Sequence, residues 1–279
     1  MEDILQYFEN ISINDRSLLL IGSLAFFLLL ETGIPLFQFN YSKFKHAFLN
    51  IFFTITTLII NVFGAFLILM AIDFNVKNNT GLLNLFSMPL WLNGLLGLLL
   101  LDLIGAWFIH WIEHRFKWLW KFHLIHHTDP YIDVTSGLRH HPVESIFRLL
   151  FTALAVFLSG ASFGIVMLYQ SLSAFFANLT HANIRTPPGF DKLLATIFVT
   201  PHFHKTHHHY LQPLTDSNYG NIFSIWDHLF RTANSVKSMD ELTYGIDTHM
   251  APKENSNIKN LLLIPFQKYR PAIGSKFND

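Results

Sequence analysis

Long apolar segments alternate with short polar ones along most of this chain. Among the charged residue types Asp, Glu, Lys and Arg, residues 47–101 contain only Asp73 and Lys77, and residues 149–180 contain none. A helix of about 20 residues crosses a hydrocarbon core of about 30 Å, so apolar segments of this length predict transmembrane helices. We expect spans at residues 17–37, 47–72 and 82–109.

Residues 146–180 are apolar over a length that exceeds one crossing. A single helix over this segment would extend for about 50 Å, well beyond the thickness of the hydrocarbon core. We therefore expect the chain to reverse near Ser159-Gly160-Ala161-Ser162 and to form a helical hairpin. This predicts an all-α, multi-pass membrane protein with about three spans plus a helical hairpin.

The charges near the ends of the spans predict the orientation of the chain. Residues 1–16 contain four acidic residues and one basic residue, Arg16, whereas the loop after the first span contains Lys43 and Lys45 and no acid. Positive residues favour the cytoplasmic side. We expect an N-terminal extracytoplasmic segment (1–16), an integral membrane domain (17–240) whose third span and hairpin end in the cytoplasm, and a polar C-terminal tail (241–279).

Composition narrows the class of protein further. Charged residues make up 14% of the chain, against roughly 25% in soluble proteins, which disfavours a soluble globule. Nineteen basic and nineteen acidic residues leave no net charge, so no nucleic-acid partner is indicated. The absence of cysteine excludes disulfides, thiolate metal sites and a cysteine nucleophile. The 16 histidines are the unusual feature that remains.

The histidines follow a pattern that is typical of metal ligands. All but His46 and His249 lie between residues 110 and 228, where His110 and His114 form an HxxxH motif and residues 123–127 and 204–208 each form HxxHH. Histidines at i, i+3 and i+4 share one face of a helix, and neutral imidazole binds zinc, copper, nickel and iron. Eight or so convergent imidazoles exceed the needs of one ion. The pattern predicts two metal ions in a cytosolic, histidine-rich metal cap.

These motifs, taken together, resemble those of the membrane fatty acid hydroxylase and sterol desaturase superfamily. The matching segments are DLIGAWFIHWIEHRFKWLWKFHLIHHTD (102–129), RHHPVE (139–144), TPHFHKTHHH (200–209) and DSNYGNIFSIWDHLFRT (216–232), with Arg231 where glycine is usual. The resemblance implies a helical membrane protein with a cytosolic non-haem di-iron site. Such enzymes use O2 and two electrons to hydroxylate or desaturate a lipid C–H bond.

The resemblance also assigns roles to individual residues. The implied metal ligands are His110, His114, His123, His126, His127, His181, His204, His207 and His208. We expect His141 to contact the ligand histidines without binding metal itself, and we expect Glu144 and Arg139 to form its ion pair. Asp102, an acid inside a span, and Asp227 are candidates for the same supporting role. We expect His140 to lie at the surface, and His46, His202, His209, His228 and His249 receive no role.

Two other functions are compatible with a histidine-rich membrane protein. The first is a non-redox zinc metallohydrolase on the same scaffold, although none of the histidine motifs has the glutamate of HExxH. The second is a non-catalytic protein that binds or transports metal. The resemblance favours a lipid hydroxylase or desaturase with two iron ions, zinc being the alternative metal. It implies a fatty acid, sterol or related lipid as substrate, and a separate electron donor such as a ferredoxin or b-type cytochrome.

Overall fold

The computed structural model describes residues 1–277, and the regular elements in this range are helices. In chain order these are α1 (Glu2–Glu9), α2 (Ile13–Gly33), α3 (Lys43–Asn78), α4 (Leu90–Asp102), a π-helical segment (Leu103–Phe108), α5 (Ile109–Arg115), α6 (Lys117–His127), α7 (Pro142–Ser159), α8 (Phe163–His181), α9 (Pro188–Leu194), α10 (Pro201–His207), α11 (Ile225–Leu229), α12 (Pro252–Asn255) and α13 (Ile258–Leu263). Short 3-10 turns cover Leu82–Asn84, Val134–Leu138, Leu214–Asp216, Met239–Glu241, Asp247–His249 and Ile264–Phe266.

Five of these helices are long and apolar enough to cross a membrane. They are α2, α3, the continuous helix formed by α4, the π segment and α5, and the pair α7 and α8. Buried side chains of α3, α4, α7 and α8 form one core, in which Leu101, Leu149 and Ile165 pack together, whereas Phe27 of α2 packs in a separate cluster with Val134 and Ala182. The prediction of an all-α protein with three spans and a helical hairpin is confirmed. The domain boundaries at residues 16 and 240 stay a prediction.

The hairpin reverses where the sequence predicts. Helix α7 ends at Ser159, and Gly160 adopts the left-handed conformation with φ 73°, which glycine adopts without steric cost. Ser162 then begins α8 by accepting a hydrogen bond from the backbone N–H of Ile165. A side chain at Gly160 would also collide with the Thr80 carbonyl, 2.8 Å from the position of its Cβ. Both its φ and its surroundings therefore require glycine.

The connections place all the histidine motifs at one end of the bundle, which we call the histidine end. There the loop after α2 bonds to the segment after α8, since the N–H of Leu36 donates to the Asn183 carbonyl at 3.1 Å. Glu31, near the end of α2, accepts from the N–H groups of Val134 and Asn183 at 3.0 and 3.1 Å. The ends of α2 and α8 therefore lie together, which agrees with the predicted number of membrane crossings.

Helix α3 is longer than the span predicted for it at residues 47–72. Its 36 residues extend for about 54 Å, whereas a hydrocarbon core is about 30 Å thick. The first turns of α3 belong to the histidine end, where Leu49 and Phe53 are buried in one cluster with Trp120 and Leu124 of α6. His46 and Asn50 in these turns bond to Asp129, Thr135 and Arg139 and therefore contribute to the cap.

The C-terminal segment, which the sequence predicts as a polar tail, has apolar side chains that pack against the cap. Ile246, Leu261 and Ile264 are buried in the same cluster as Trp120 and Ile125 of α6. Leu261 and Ile264 belong to the apolar run NLLLIPF at residues 260–266. The segment therefore covers the helix that carries the first HxxHH motif.

Candidate metal centre

The nine predicted ligand histidines converge in two adjacent sets at the histidine end. The five-histidine set contains His110, His114, His123, His127 and His207, and the four-histidine set contains His126, His181, His204 and His208. Each residue offers one ring nitrogen within 4.8 Å of the others in its set. All nine side chains are buried, with at most 6% of their surface exposed. The structure thus separates the histidines into two potential ligand sets.

Each HxxHH motif supplies both sets. In α6, His123 and His127 belong to the five-histidine set, whereas His126 belongs to the other. The motif at α10 has the reverse arrangement: His204 and His208 join the four-histidine set, and His207 joins the five-histidine set. On an α-helix, a step of four residues points a side chain about 40° past the starting direction, whereas a step of three points it about 60° short of that direction. Consecutive histidines in the sequence therefore face different sets.

Backbone carbonyls orient two histidines of the five-histidine set. His110 Nδ1 donates to the Tyr219 carbonyl at 2.8 Å, and His207 Nδ1 donates to the Ser217 carbonyl at 2.6 Å. Because a carbonyl can only accept, each Nδ1 carries the proton and each Nε2 presents a lone pair to the set. These two carbonyls were not predicted, since a backbone group has no signature in the residue types.

Carboxylates orient two further members of the same set. His123 Nδ1 donates to Glu144 at 2.8 Å, and His114 Nδ1 donates to Asp216 at 3.1 Å. Arg148 pairs with Glu144 at 3.0 Å, which favours the charged carboxylate. A carboxylate behind a metal-binding imidazole sets its tautomer and increases its basicity. Of the four predicted supporting residues, Glu144 is thus in direct contact with a histidine of the sets.

The inner nitrogens of the four-histidine set lie unusually close together. His181 Nδ1 donates to the Ala177 carbonyl at 2.8 Å, so its Nε2 carries a lone pair. Around that Nε2 lie the Nε2 atoms of His126, His204 and His208, at 3.2, 3.1 and 3.3 Å. One lone pair cannot accept hydrogen bonds from three donors, so hydrogen bonding alone does not account for these three short contacts.

The spacing of the nitrogens fits a metal ion at the centre of the set. With metal–nitrogen bonds of about 2.1 Å, ligand nitrogens lie about 3.0 Å apart in octahedral and about 3.4 Å apart in tetrahedral coordination. The observed separations of 3.1–3.3 Å lie between these values. In the five-histidine set, the buried Nε2 atoms of His114 and His207 have no hydrogen-bond partner among residues 1–277. Both sets therefore fit a cation bound by neutral imidazoles.

Asp102 and Asp227 act on the loop that supplies the carbonyls, and they do not contact the histidines directly. Asp102 accepts hydrogen bonds from the N–H groups of Ile222 and Phe223, both at 3.2 Å. Asp227 accepts from the N–H groups of Tyr219 and Gly220 at 2.9 and 2.8 Å. Together they fix the loop whose Tyr219 carbonyl orients His110.

Asp102 lies away from the sets because it is distant from them along its helix. It precedes His110 by eight residues, roughly 12 Å at the rise of an α-helix, and the π-helical residues 103–108 lie between them. Asp102 faces the loop at residues 222–226, including the indole N–H of Trp226, which donates to it at 3.1 Å.

His141 also has a different role from the predicted one. Its Nδ1 accepts from the N–H of Val143 at 3.1 Å and caps the start of α7, while Nε2 lies 3.4 Å from the Leu262 carbonyl. The predicted Glu144–Arg139 ion pair is wrong: Glu144 pairs with Arg148, one helical turn later. Sequence proximity suggested Arg139, but its side chain leaves the loop in another direction.

Arg139 instead belongs to a buried network beside α6. It lies 3.5 Å from Asp129, which also bonds to His46 at 2.8 Å and to Ser136 at 2.7 Å. Burial alone would raise the pKa of Asp129, but the positive charges of Arg139 and His46 outweigh it and lower that pKa. The network fixes the loop that follows the first HxxHH motif, and it gives His46 a structural role that the sequence did not reveal.

His140 lies closer to the sets than predicted. Its ring stacks on that of His126, with 4.8 Å between centroids, and its Nδ1 shares Glu144 with His123 at 2.8 Å. Its side chain is 21% exposed, so it is not a free surface residue. The signal was available in the sequence, because His140 precedes Glu144 by four residues, although no metal-ligand motif includes it.

The hydrogen bond that His141 accepts at the start of α7 allows a first test. We expect His141→Ala to lower the free energy of unfolding by about 1 kcal/mol, because it removes the side-chain acceptor at the start of α7. His141→Asn keeps an acceptor there and should retain most of the stability. Metal content should be the same in both variants and in the unmodified protein. Thermal melting in detergent together with elemental analysis would check this, and metal loss in His141→Ala would instead indicate a ligand.

Comparison with known proteins agrees with this geometry. The model of the fatty acid hydroxylase family matches residues 94–232, which include all nine histidines. The chain belongs to the fatty acid hydroxylase family. This confirms the resemblance to the fatty acid hydroxylase and sterol desaturase superfamily that the sequence motifs indicated.

Relatives in this family are named for lipid oxidation. The chain is 29% identical over 165 residues to ornithine lipid hydroxylase OlsE of Rhizobium tropici, covering 58% of this chain and 48% of that protein. It is 27% identical to the alkylglycerol monooxygenases of Caenorhabditis elegans, over 56% of this chain and 29% of the relative, and of Homo sapiens, over 59% and 36%. The matches thus span about half or less of these relatives. No solved structure matches this chain.

Proposed function

We propose that this fatty acid hydroxylase family protein is a membrane-bound di-iron monooxygenase that hydroxylates a C–H bond of a lipid. The observation that carries the proposal is the pair of buried histidine sets whose lone-pair nitrogens face one another at metal-ligand spacing. The names of the relatives, hydroxylase and monooxygenase, favour hydroxylation over desaturation.

The nine histidines would hold the two ions, one in each set. Iron and zinc both accept imidazole ligands, and the relatives' oxygenase chemistry requires the redox-active metal. When bound, two ferrous ions supply the activation of O2 with two electrons from a donor. The rest of the task falls to the protein, which must keep the imidazoles neutral, orient them and exclude water.

The cap meets these requirements. Burial lowers the pKa of His123 to about 3 and holds the pKa values of His127 and His207 well below the ordinary value, so these imidazoles are neutral at pH 7. The carbonyls of Ser217 and Tyr219 fix the ring orientations of His207 and His110. These features prepare the ligand sets before metal binds, and the burial of all nine side chains keeps water away from them.

We propose a membrane lipid with a long alkyl chain as the substrate class. The names of the relatives refer to an ornithine lipid and to alkylglycerols, which both combine an alkyl chain with a polar group. In this protein the sets lie at the ends of five apolar helices. The alkyl chain can therefore approach from the bilayer while the polar group stays near the interface.

The proposal places the histidine end in the cytoplasm, where a ferredoxin or b-type cytochrome can deliver electrons. Lys43 and Lys45 begin α3 at this end, and Lys117 and Lys121 lie on α6. Such basic residues at the ends of spans favour the cytoplasmic side. Accessibility labelling of a cysteine introduced at Lys121, compared with one introduced at Asn79, would test this orientation.

The decisive experiment combines metal analysis with isotopically labelled dioxygen. We expect purified protein to bind about two iron ions per chain, one for each set. With a reductant and membrane lipids, the product should contain one labelled oxygen atom in a new hydroxyl group. Product formed without oxygen by zinc-loaded protein would support the metallohydrolase instead. Metal uptake by vesicles with no lipid product would support a transporter.

A further inference from the structure

Lys205 is a lysine with no solvent exposure in the middle of the second HxxHH motif. Its ammonium group donates to the carbonyls of Thr180, His181 and Ala182 at 3.1, 3.2 and 2.5 Å. A buried ammonium is costly unless its donors are satisfied. Here all three of its donors have a carbonyl acceptor, so the side chain occupies a site built for it.

The three carbonyls lie at the end of α8. This helix ends at His181, and Ala182 has an extended conformation with ψ 131°. The last carbonyls of a helix have no amide partner within it, and a cation there also interacts favourably with the helix dipole. Lys205 thus supplies the hydrogen bonds that the end of α8 lacks.

This contact joins the two elements that build most of the four-histidine set. His181 is the last residue of α8, while His204 and His208 flank Lys205 in the motif at α10. Lys205 therefore links the helix end that carries His181 to the motif that carries His204 and His208. The five-histidine set takes only His207 from this motif, and the Ser217 carbonyl orients that residue independently.

We propose that Lys205 is a positioning residue for the metal ion of the four-histidine set. The proposal rests on the proposed function, because it assumes that each set binds one ion. Without Lys205, the carbonyls of Thr180 and His181 lose the hydrogen bond that it donates, while the Ala182 carbonyl keeps only the N–H of Ile184. The end of α8 then shifts relative to α10. His181 then no longer meets His204 and His208 at ligand distance, while the five-histidine set keeps its geometry.

The test is metal stoichiometry in reconstituted protein. Detergent-purified protein is stripped with a chelator, loaded anaerobically with ferrous iron and freed of excess metal. We expect about two ions per chain in the unmodified protein and about one in Lys205→Met, because only one set is disturbed. Lys192→Met, which removes an exposed lysine from neighbouring α9, should still bind about two.

Double variants show which ion is lost. Adding His181→Ala to Lys205→Met should cause no further loss, whereas adding His114→Ala should remove the remaining ion. If Lys205→Met does not fold, Lys205→Arg replaces it. A planar guanidinium cannot match three carbonyls that converge on one ammonium, so we expect weaker iron binding at one of the two sites and unchanged binding at the other.

The outcomes separate this inference from the proposed function. Unmodified protein that binds no iron contradicts the proposed function. Unmodified protein and Lys205→Met that both bind two ions overturn the positioning role of Lys205 and leave the proposed function standing. Equal loss from both sets in Lys205→Met, or in Lys205→Arg if that variant is used, would show a general structural role and also overturn the inference.

Discussion

Alanine at His207 or at His126 is expected to abolish lipid hydroxylation while the chain still inserts into the membrane. His207 belongs to the five-histidine set and His126 to the four-histidine set, so each substitution removes a ligand from a different ion. The proposed reaction needs both ions, and the loss of either should therefore reduce turnover to the background level. Product formation from labelled dioxygen and iron content per chain would be measured together.

Two other histidines provide controls for this prediction. His228 is exposed and bonds to the Ala195 carbonyl at 2.9 Å, and His202 bonds to Thr186 at 3.1 Å. We expect His228→Ala and His202→Ala to retain two ions and most of the activity. Equal activity loss in these variants and in His207→Ala would contradict the assignment of the two sets.

Local patterns predicted most of the fold and most of the histidines that converge in the two sets. The apolar segments gave the spans because a lipid environment imposes both their length and their composition. His110 and His114, four residues apart, had to share one side of their helix. His181 was found through the resemblance alone, because no second histidine accompanies it in α8. The structure brings it within 3.2 Å of His126.

The support around the histidines could not be predicted because it depends on contacts between distant segments. The carbonyl of Tyr219 reaches His110 across 109 residues of sequence, and a carbonyl is present at every position. Asp102 is a supporting candidate as an acid inside a span, but the sequence does not show that its partners are the N–H groups of Ile222 and Phe223, 120 and 121 residues later.

Acid should unfold the metal-free protein steeply below about pH 6.5. Burial lowers the pKa of six cap histidines that lie outside the spans: His123, to about 3, and His126, His127, His204, His207 and His208. In the unfolded chain each would titrate near its ordinary pKa of about 6.5. Below that pH the unfolded state therefore binds protons that the folded state does not, and stability is lost as the pH falls.

The free energy of unfolding is expected to change steeply with pH. Each such histidine contributes about 1.4 kcal/mol per pH unit, so six contribute roughly 8 kcal/mol per unit, comparable with the entire stability of many domains. Metal-free protein should then lose its cap within one to two units below about pH 6.5, as thermal melting in detergent would show. Bound metal should move the transition to lower pH. His126→Ala should flatten the metal-free profile by about one proton, whereas His228→Ala should leave it unchanged. A melting temperature that stays constant from about pH 7 to about pH 5 would contradict the neutral, buried state of these histidines.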